Sequence, residues 1–112
     1  VALCDVDDEY AKKAYDRWPD ARRYRDYRKA LEAEAAIDAV YIGTPDHTHA
    51  VITMAAIQSG LHVYCQKPLT HDVYESRMMA QVAKEAKVAT QMGIQGHSME
   101  GIRLVCEWIW AG

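Results

Sequence analysis

Short apolar runs alternate with helix-period segments along almost the whole chain, and that alternation limits the fold more than any other feature. The runs are Val1-Ala2-Leu3-Cys4, a weaker one around Tyr24 at residues 22–25, Ile37 to Ile42, Leu61-His62-Val63-Tyr64-Cys65 and Val88-Ala89-Thr90-Gln91-Met92. Between them, helices are expected from Asp7 or Asp8 to about Trp18, from Asp26 to about Glu34, from His47 to Gly60 and from Asp72 to about Lys87. A short run that is apolar nearly throughout reads as a strand buried on both faces. Such strands joined by single helices build βαβ units, so the pattern predicts an α/β fold: a parallel sheet with flanking helices.

Punctuation supports the same division. Pro19-Asp20 breaks the first helix, Gly43-Thr44-Pro45-Asp46 ends a strand, and Gly60 offers a left-handed stop to the third helix. Within that helix Val51, Ile52, Met54, Ala55, Ala56 and Ile57 are expected to bury most of the circumference. Val73, Met78, Met79, Val82, Ala83 and Ala86 form the stripe of the next. A closing stripe of Ile102, Val105, Cys106 and Ile109 predicts a last helix, whose apolar surface Trp108 and Trp110 widen.

At 112 residues, half of them hydrophobic, the chain suits one domain with a modest core. A net charge of -3 with interspersed signs gives no broad basic face, which argues against nucleic acid as a partner. No stretch approaches the ~18 apolar residues of a membrane span, and nothing resembles an export signal, so no membrane partner and a cytoplasmic location are expected. Cys4, Cys65 and Cys106 are too far apart to suggest a disulfide framework and are expected as buried free thiols. Val1 opens inside an apolar run without an initiator methionine, which reads as a chain cut at its front.

Ligands of parallel sheets gather at the carboxyl ends of the strands, where four segments of interest fall. Asp5 ends the first run, where an acid accepts hydrogen bonds from a ribose diol; Asp7 and Asp8 beside it would repel a 2′-phosphate, which favours NAD over NADP. An ordinary helix-capping acid is the plainer alternative. Thr44 to His49 follow a strand and open a helix, so their backbone amides and the helix's positive end suit a phosphate or a nicotinamide edge. His47 and His49 point to different helix faces and no Cys or Glu cluster accompanies them, so no metal is expected. Lys67, restrained by Pro68, stands after a buried run; a partly desolvated ammonium there orients a substrate hydroxyl or stabilises an alkoxide, against the plainer reading of a solvated charge. Gln91 to Gln95 form the fourth segment. Tyr64, His71 and His97 are weaker candidates for the same cleft.

Taken together, Asp5, Thr44-Pro45-Asp46-His47-Thr48-His49, Gln66-Lys67-Pro68-Leu69 and Gln91-Met92-Gly93-Ile94-Gln95 resemble the Gfo/Idh/MocA family of nicotinamide-dependent oxidoreductases across residues 1–112. The resemblance implies a Rossmann-type parallel sheet lacking its first βα unit and Gly-rich turn, with residues 96–112 leading towards a C-terminal α/β domain that is also missing. It implies hydride transfer between NAD and a hydroxyl of a sugar or polyol, with Lys67 as the catalytic residue. Asp5, Thr44, Pro45, His49, Gln66 and Pro68 would line the cofactor, and the full-length protein would be a homo-oligomer. The Cys-x-Lys-Pro-Leu-Thr-His run also looks like members that hydrolyse glycosides through transient oxidation by NAD. The family's lysine normally follows a glutamate; here Gln66 keeps hydrogen-bonding capacity and loses the charge. That substitution, the missing glycines and the apolar Trp108 and Trp110 motivate the contrasting possibility of a non-catalytic nucleotide-binding or assembly module. A flavodoxin-like domain is a third possibility that leaves Lys67-Pro68 without a reason.

Overall fold

The computed structural model describes all of residues 1–112. Its elements run β1 (Ala2–Cys4), α1 (Asp8–Arg17), β2 (Arg22–Tyr24), α2 (Tyr27–Ala33), β3 (Ala39–Ile42), α3 (Asp46–Gln58), β4 (His62–Gln66), α4 (Val73–Ala86), β5 (Thr90–Gly93), α5 (Gln95–Ser98) and α6 (Glu100–Ala111). Every strand pairing is parallel, as the alternation predicts. The sheet is in two parts, β1-β2 and β3-β4-β5. In the doubly wound order 3-2-1-4-5-6, these are the second and third strands and the fourth to sixth.

Each helix starts for a visible reason. Asp7 caps α1 by accepting from the Glu9 and Tyr10 amides at 2.9 and 3.0 Å, and Asp72 caps α4 through the Glu75 amide at 2.8 Å. Asp26 caps α2 and also chelates the Arg28 side chain. The Arg28 guanidinium, and then its backbone N–H, hold the Asp26 carboxyl below the usual carboxylate range. At the other end of α2, Glu34 is buried because two residues of β2 reach it: Arg22 forms an ion pair and the Tyr24 hydroxyl donates at 2.7 Å. That bond pushes the Tyr24 phenol up, since an ionised phenol has no proton to donate. The sequence pattern gives no sign of this buried acid.

The core lies between the three-stranded sheet and one helical layer. Ile42, Val63 and Cys65 from β3 and β4 meet Ala56 and Ile57 of α3, with Val82 and Ala83 of α4 packed alongside. Full burial of a side chain such as Ile57 contributes about 1.5–3 kcal/mol. The inward face of α3 is His49, Ala50, Thr53, Ala56 and Ile57, whereas Val51 is exposed, contrary to the apolar reading of that helix. Two polar residues face inward because the helix is aimed by its register on β4 and not by hydrophobicity alone. In α4, Met79 is buried while Val73 is exposed and Ala86 faces solvent. All three cysteines are free, but only Cys65 is buried; Cys106 is half-buried and Cys4 exposed. No helix is long and apolar enough to cross a membrane.

Candidate nucleotide site at the strand ends

The carboxyl ends of β3, β4 and β5 bring most of the expected residues into one cluster. Thr44 and Pro45 form the exposed turn between β3 and α3, and Pro45 is the N-cap of that helix. No side chain caps α3, so its first amides and the positive end of its dipole are open to a ligand, with Asp46 in the same turn. Thr48 Oγ1 lies 2.8 Å from Thr44 Oγ1 and 2.7 Å from the Pro45 carbonyl oxygen, which fixes the turn.

Opposite this turn, Gln66 ends β4 and the backbone N–H of Lys67 donates to the Gly93 carbonyl at 3.2 Å, continuing the pairing with β5 by one residue. The Lys67-Pro68 peptide bond is cis. Lys67 itself is exposed and takes part in none of the chain's ion pairs. Partial desolvation, expected from its place behind a buried strand, is absent: β4 is covered on one face only, and the turn extends beyond that cover.

Gln66 is held from both sides, by β3 and by the start of α5. Its amide donates to the Tyr41 hydroxyl at 2.5 Å, and its Oε1 accepts from Gln95 Nε2 at 3.4 Å. Tyr41 stacks on Tyr64, its register partner on β4, with ring centroids 5.3 Å apart. Tyr41 and Gln95 thus belong to the cluster although sequence reasoning gave Tyr41 only a strand position. The available signal is that residues 41 and 64 share the face opposite α3, one and two positions from the ends of their strands. Asp5 stands apart, at the end of β1 in the other part of the sheet, where its Oδ1 accepts from the Asp7 amide at 2.9 Å. Arg25 pairs with Asp8 and donates to the Val6 carbonyl, so this acidic turn contains a cation that the sequence order does not reveal.

His49 is buried, 1% exposed, with both ring nitrogens on backbone carbonyls, those of Pro68 and Thr44. It joins the two turns from beneath and offers no nitrogen to the cleft. Below it, between β4, β5 and α4, is a cavity of about 270 Å³ lined by Thr53, Cys65, Met79 and Met92 among others. Burial pushes the Cys65 thiol up, with the Thr53 hydroxyl opposing; that hydroxyl has no oxygen or nitrogen partner of its own.

Comparison with known proteins accounts for this arrangement. Residues 1–94 match the model of an oxidoreductase family described by its NAD-binding Rossmann fold. Inositol 2-dehydrogenase 4 from Saccharopolyspora erythraea is 38% identical over 89 residues, 80% of this chain and 25% of that protein. The solved WlbA dehydrogenase from Bordetella pertussis, in complex with NADH and UDP-GlcNAcA, superposes with a TM-score of 0.84 at 25% identity, covering 100% of this chain and 32% of that one. KijD10, a 3-ketoreductase from Actinomadura kijaniata in complex with TDP-benzene and NADP, gives 0.84 at 26% identity over 100% of this chain and 35% of that one. The chain spans about a quarter of the length of the curated relatives it matches. With that model matching 94 of its 112 residues, the chain belongs to the Gfo/Idh/MocA family of oxidoreductases, as its NAD-binding Rossmann part.

Proposed function

We propose that these residues form the cofactor-binding part of an enzyme that moves hydride between NAD and a hydroxyl of a sugar or polyol, with Lys67 contacting that hydroxyl. The observation that carries this reading is the placement of an exposed, unpaired Lys67 beside the uncapped amino end of α3, at the carboxyl ends of parallel strands. When bound, the nicotinamide supplies the acceptor for a hydride leaving the carbon that bears the hydroxyl. Lys67 donates a hydrogen bond to the hydroxyl oxygen and stabilises the negative charge that develops there as the hydroxyl proton passes to solvent, to which Lys67 is exposed. The open amides of α3 and the Thr44-Pro45 turn border the cofactor, with Gln66 and Pro68 forming the facing wall.

The residues present fit the adenosine end as well. Asp5 has one carboxylate oxygen engaged by the Asp7 amide, which leaves the other for a ribose hydroxyl. Arg25 is committed to Asp8 and the Val6 carbonyl, so no free guanidinium stands beside Asp5 to receive a 2′-phosphate. This supports NAD as the preferred cofactor, although the relatives' solved complexes include both NADH and NADP. The names of the relatives supply the sugar and polyol class. Residues 96–112, with α6 standing away from the sheet, are assigned as the exit towards a second domain.

The reading is tested in the full-length protein by following NAD reduction with a panel of sugars and inositols. Lys67→Ala is expected to lower kcat by about 10²–10⁴-fold while NADH affinity stays within about twofold. Turnover by Lys67→Ala equal to wild type across every active substrate would sink the role given to Lys67.

A further inference from the structure

His49 poses a problem of proton count. Its Nδ1 lies 2.6 Å from the Pro68 carbonyl oxygen and its Nε2 lies 2.7 Å from that of Thr44. A carbonyl oxygen only accepts, and a neutral imidazole has one N–H and one lone pair. In either neutral tautomer, therefore, one ring nitrogen would set a lone pair against a carbonyl lone pair at hydrogen-bond distance. Turning the ring by 180° does not help, because it puts carbon where nitrogen stood. A C–H···O contact needs about 3.3–3.6 Å, far more than either spacing. With 1% of the residue exposed, no water relieves the mismatch.

We infer that His49 is a buried imidazolium, a positioning residue that ties the Thr44 carbonyl at the end of β3 to the Pro68 carbonyl beyond β4 through two charge-assisted hydrogen bonds. It thereby sets the spacing of the two turns on which the proposed cofactor and hydroxyl contacts stand, and in this it rests on that functional reading. The Nε2 spacing of 2.7 Å falls within the range of an N⁺–H donor, and the Nδ1 spacing of 2.6 Å is slightly shorter. No carboxylate comes within ion-pair distance of the ring. The titratable groups adjacent in sequence to His49 or to the carbonyls it meets are Asp46 and His47 in the first turn of α3 and Lys67 next to Pro68, all three exposed. The two carbonyls are the hydrogen-bonding partners of the ring.

Removal of one proton leaves one of the two carbonyls facing a lone pair. The sign follows: the turns are fully braced while the ring carries both protons, and the brace is released as pH rises. The full-length protein, with ¹⁵N-labelled histidine, gives a direct reading. Both His49 ring nitrogens are expected to carry protons at about pH 6, and the loss of one at higher pH should accompany a weakening of NADH binding by about tenfold or more. His49→Gln, which cannot titrate, should bind NADH with an affinity that does not change across the same range. A single protonated ring nitrogen throughout about pH 6–9 would overturn the imidazolium. Two protonated nitrogens with NADH affinity that stays flat as one is lost would overturn the positioning role. Because ring protonation is read without cofactor, it stands or falls separately from the cofactor reading.

Discussion

The space above Gly93 is already taken. A Cβ built there would lie 2.8 Å from Tyr64 Cε1 and 2.9 Å from Gln66 Oε1, both closer than carbon contacts allow. The carboxamide of Gln66 sits on a flexible stem, but the Tyr64 ring is stacked against Tyr41 and has less freedom to move. Gly93→Ala is therefore expected to destabilise the protein by about 1–3 kcal/mol, seen as a lower urea midpoint with unchanged slope, and to loosen the grip of Gln66 on Tyr41. A wild-type midpoint would show that the clash relaxes freely. The residue-scale part of the site was unevenly legible. Lys67, Thr44 and Pro45 stood out because proline and a lysine behind an apolar run are rare punctuation. His49 and Gln66 stand out in the sequence by position only; that His49 engages two backbone carbonyls and Gln66 engages Tyr41 and Gln95 is not readable there. Only strand pairing decides which distant atoms meet a side chain.

At the scale of elements, α4 ends in a way its sequence does not announce. Its C-cap is Lys87 with φ 56° and ψ 29°, a left-handed conformation that disfavours a residue with a Cβ; Gly60, after α3, adopts a comparable φ of 79° without that penalty. Lys87→Gly is expected to stabilise the full-length protein by about 1 kcal/mol, read as a higher urea midpoint, and a fall in the midpoint would contradict this reading of the cap. Helix starts were readable because Asp7, Asp26 and Asp72 are capping residues followed by suitable runs. The strands were placed within one or two residues at either end, since their apolar runs extend into the connecting loops. The inward face of α3 was the largest miss: His49 and Thr53 are inside and Val51 is outside, because packing on β4 sets the rotation of the helix.

On the scale of the whole molecule, the radius of gyration is 16.7 Å, above the about 13 Å of a compact domain this long. Only 13 of the 112 residues are buried, and α6 contributes none of them, leaving Trp110 81% exposed. No backbone ladder joins β1-β2 to the other three strands; α2 links the two parts by packing on β1, β2 and α3. The isolated 112-residue chain is accordingly expected to lose helical circular dichroism gradually on heating, with the near-ultraviolet aromatic signal lost at a different temperature. A single sharp transition shared by both signals would refute this. By itself the sequence determined the type and order of every element but the short α5, the parallel class and the family, because periodicity, capping and turn chemistry are local and repeat along the chain. The tertiary structure alone decided that the sheet lies in two parts, that Glu34 is buried under Arg22 and Tyr24, and that both nitrogens of one histidine meet carbonyls from two strand ends. Those outcomes depend on atoms far apart in sequence, whose meeting is set by strand register and helix rotation rather than by any local pattern.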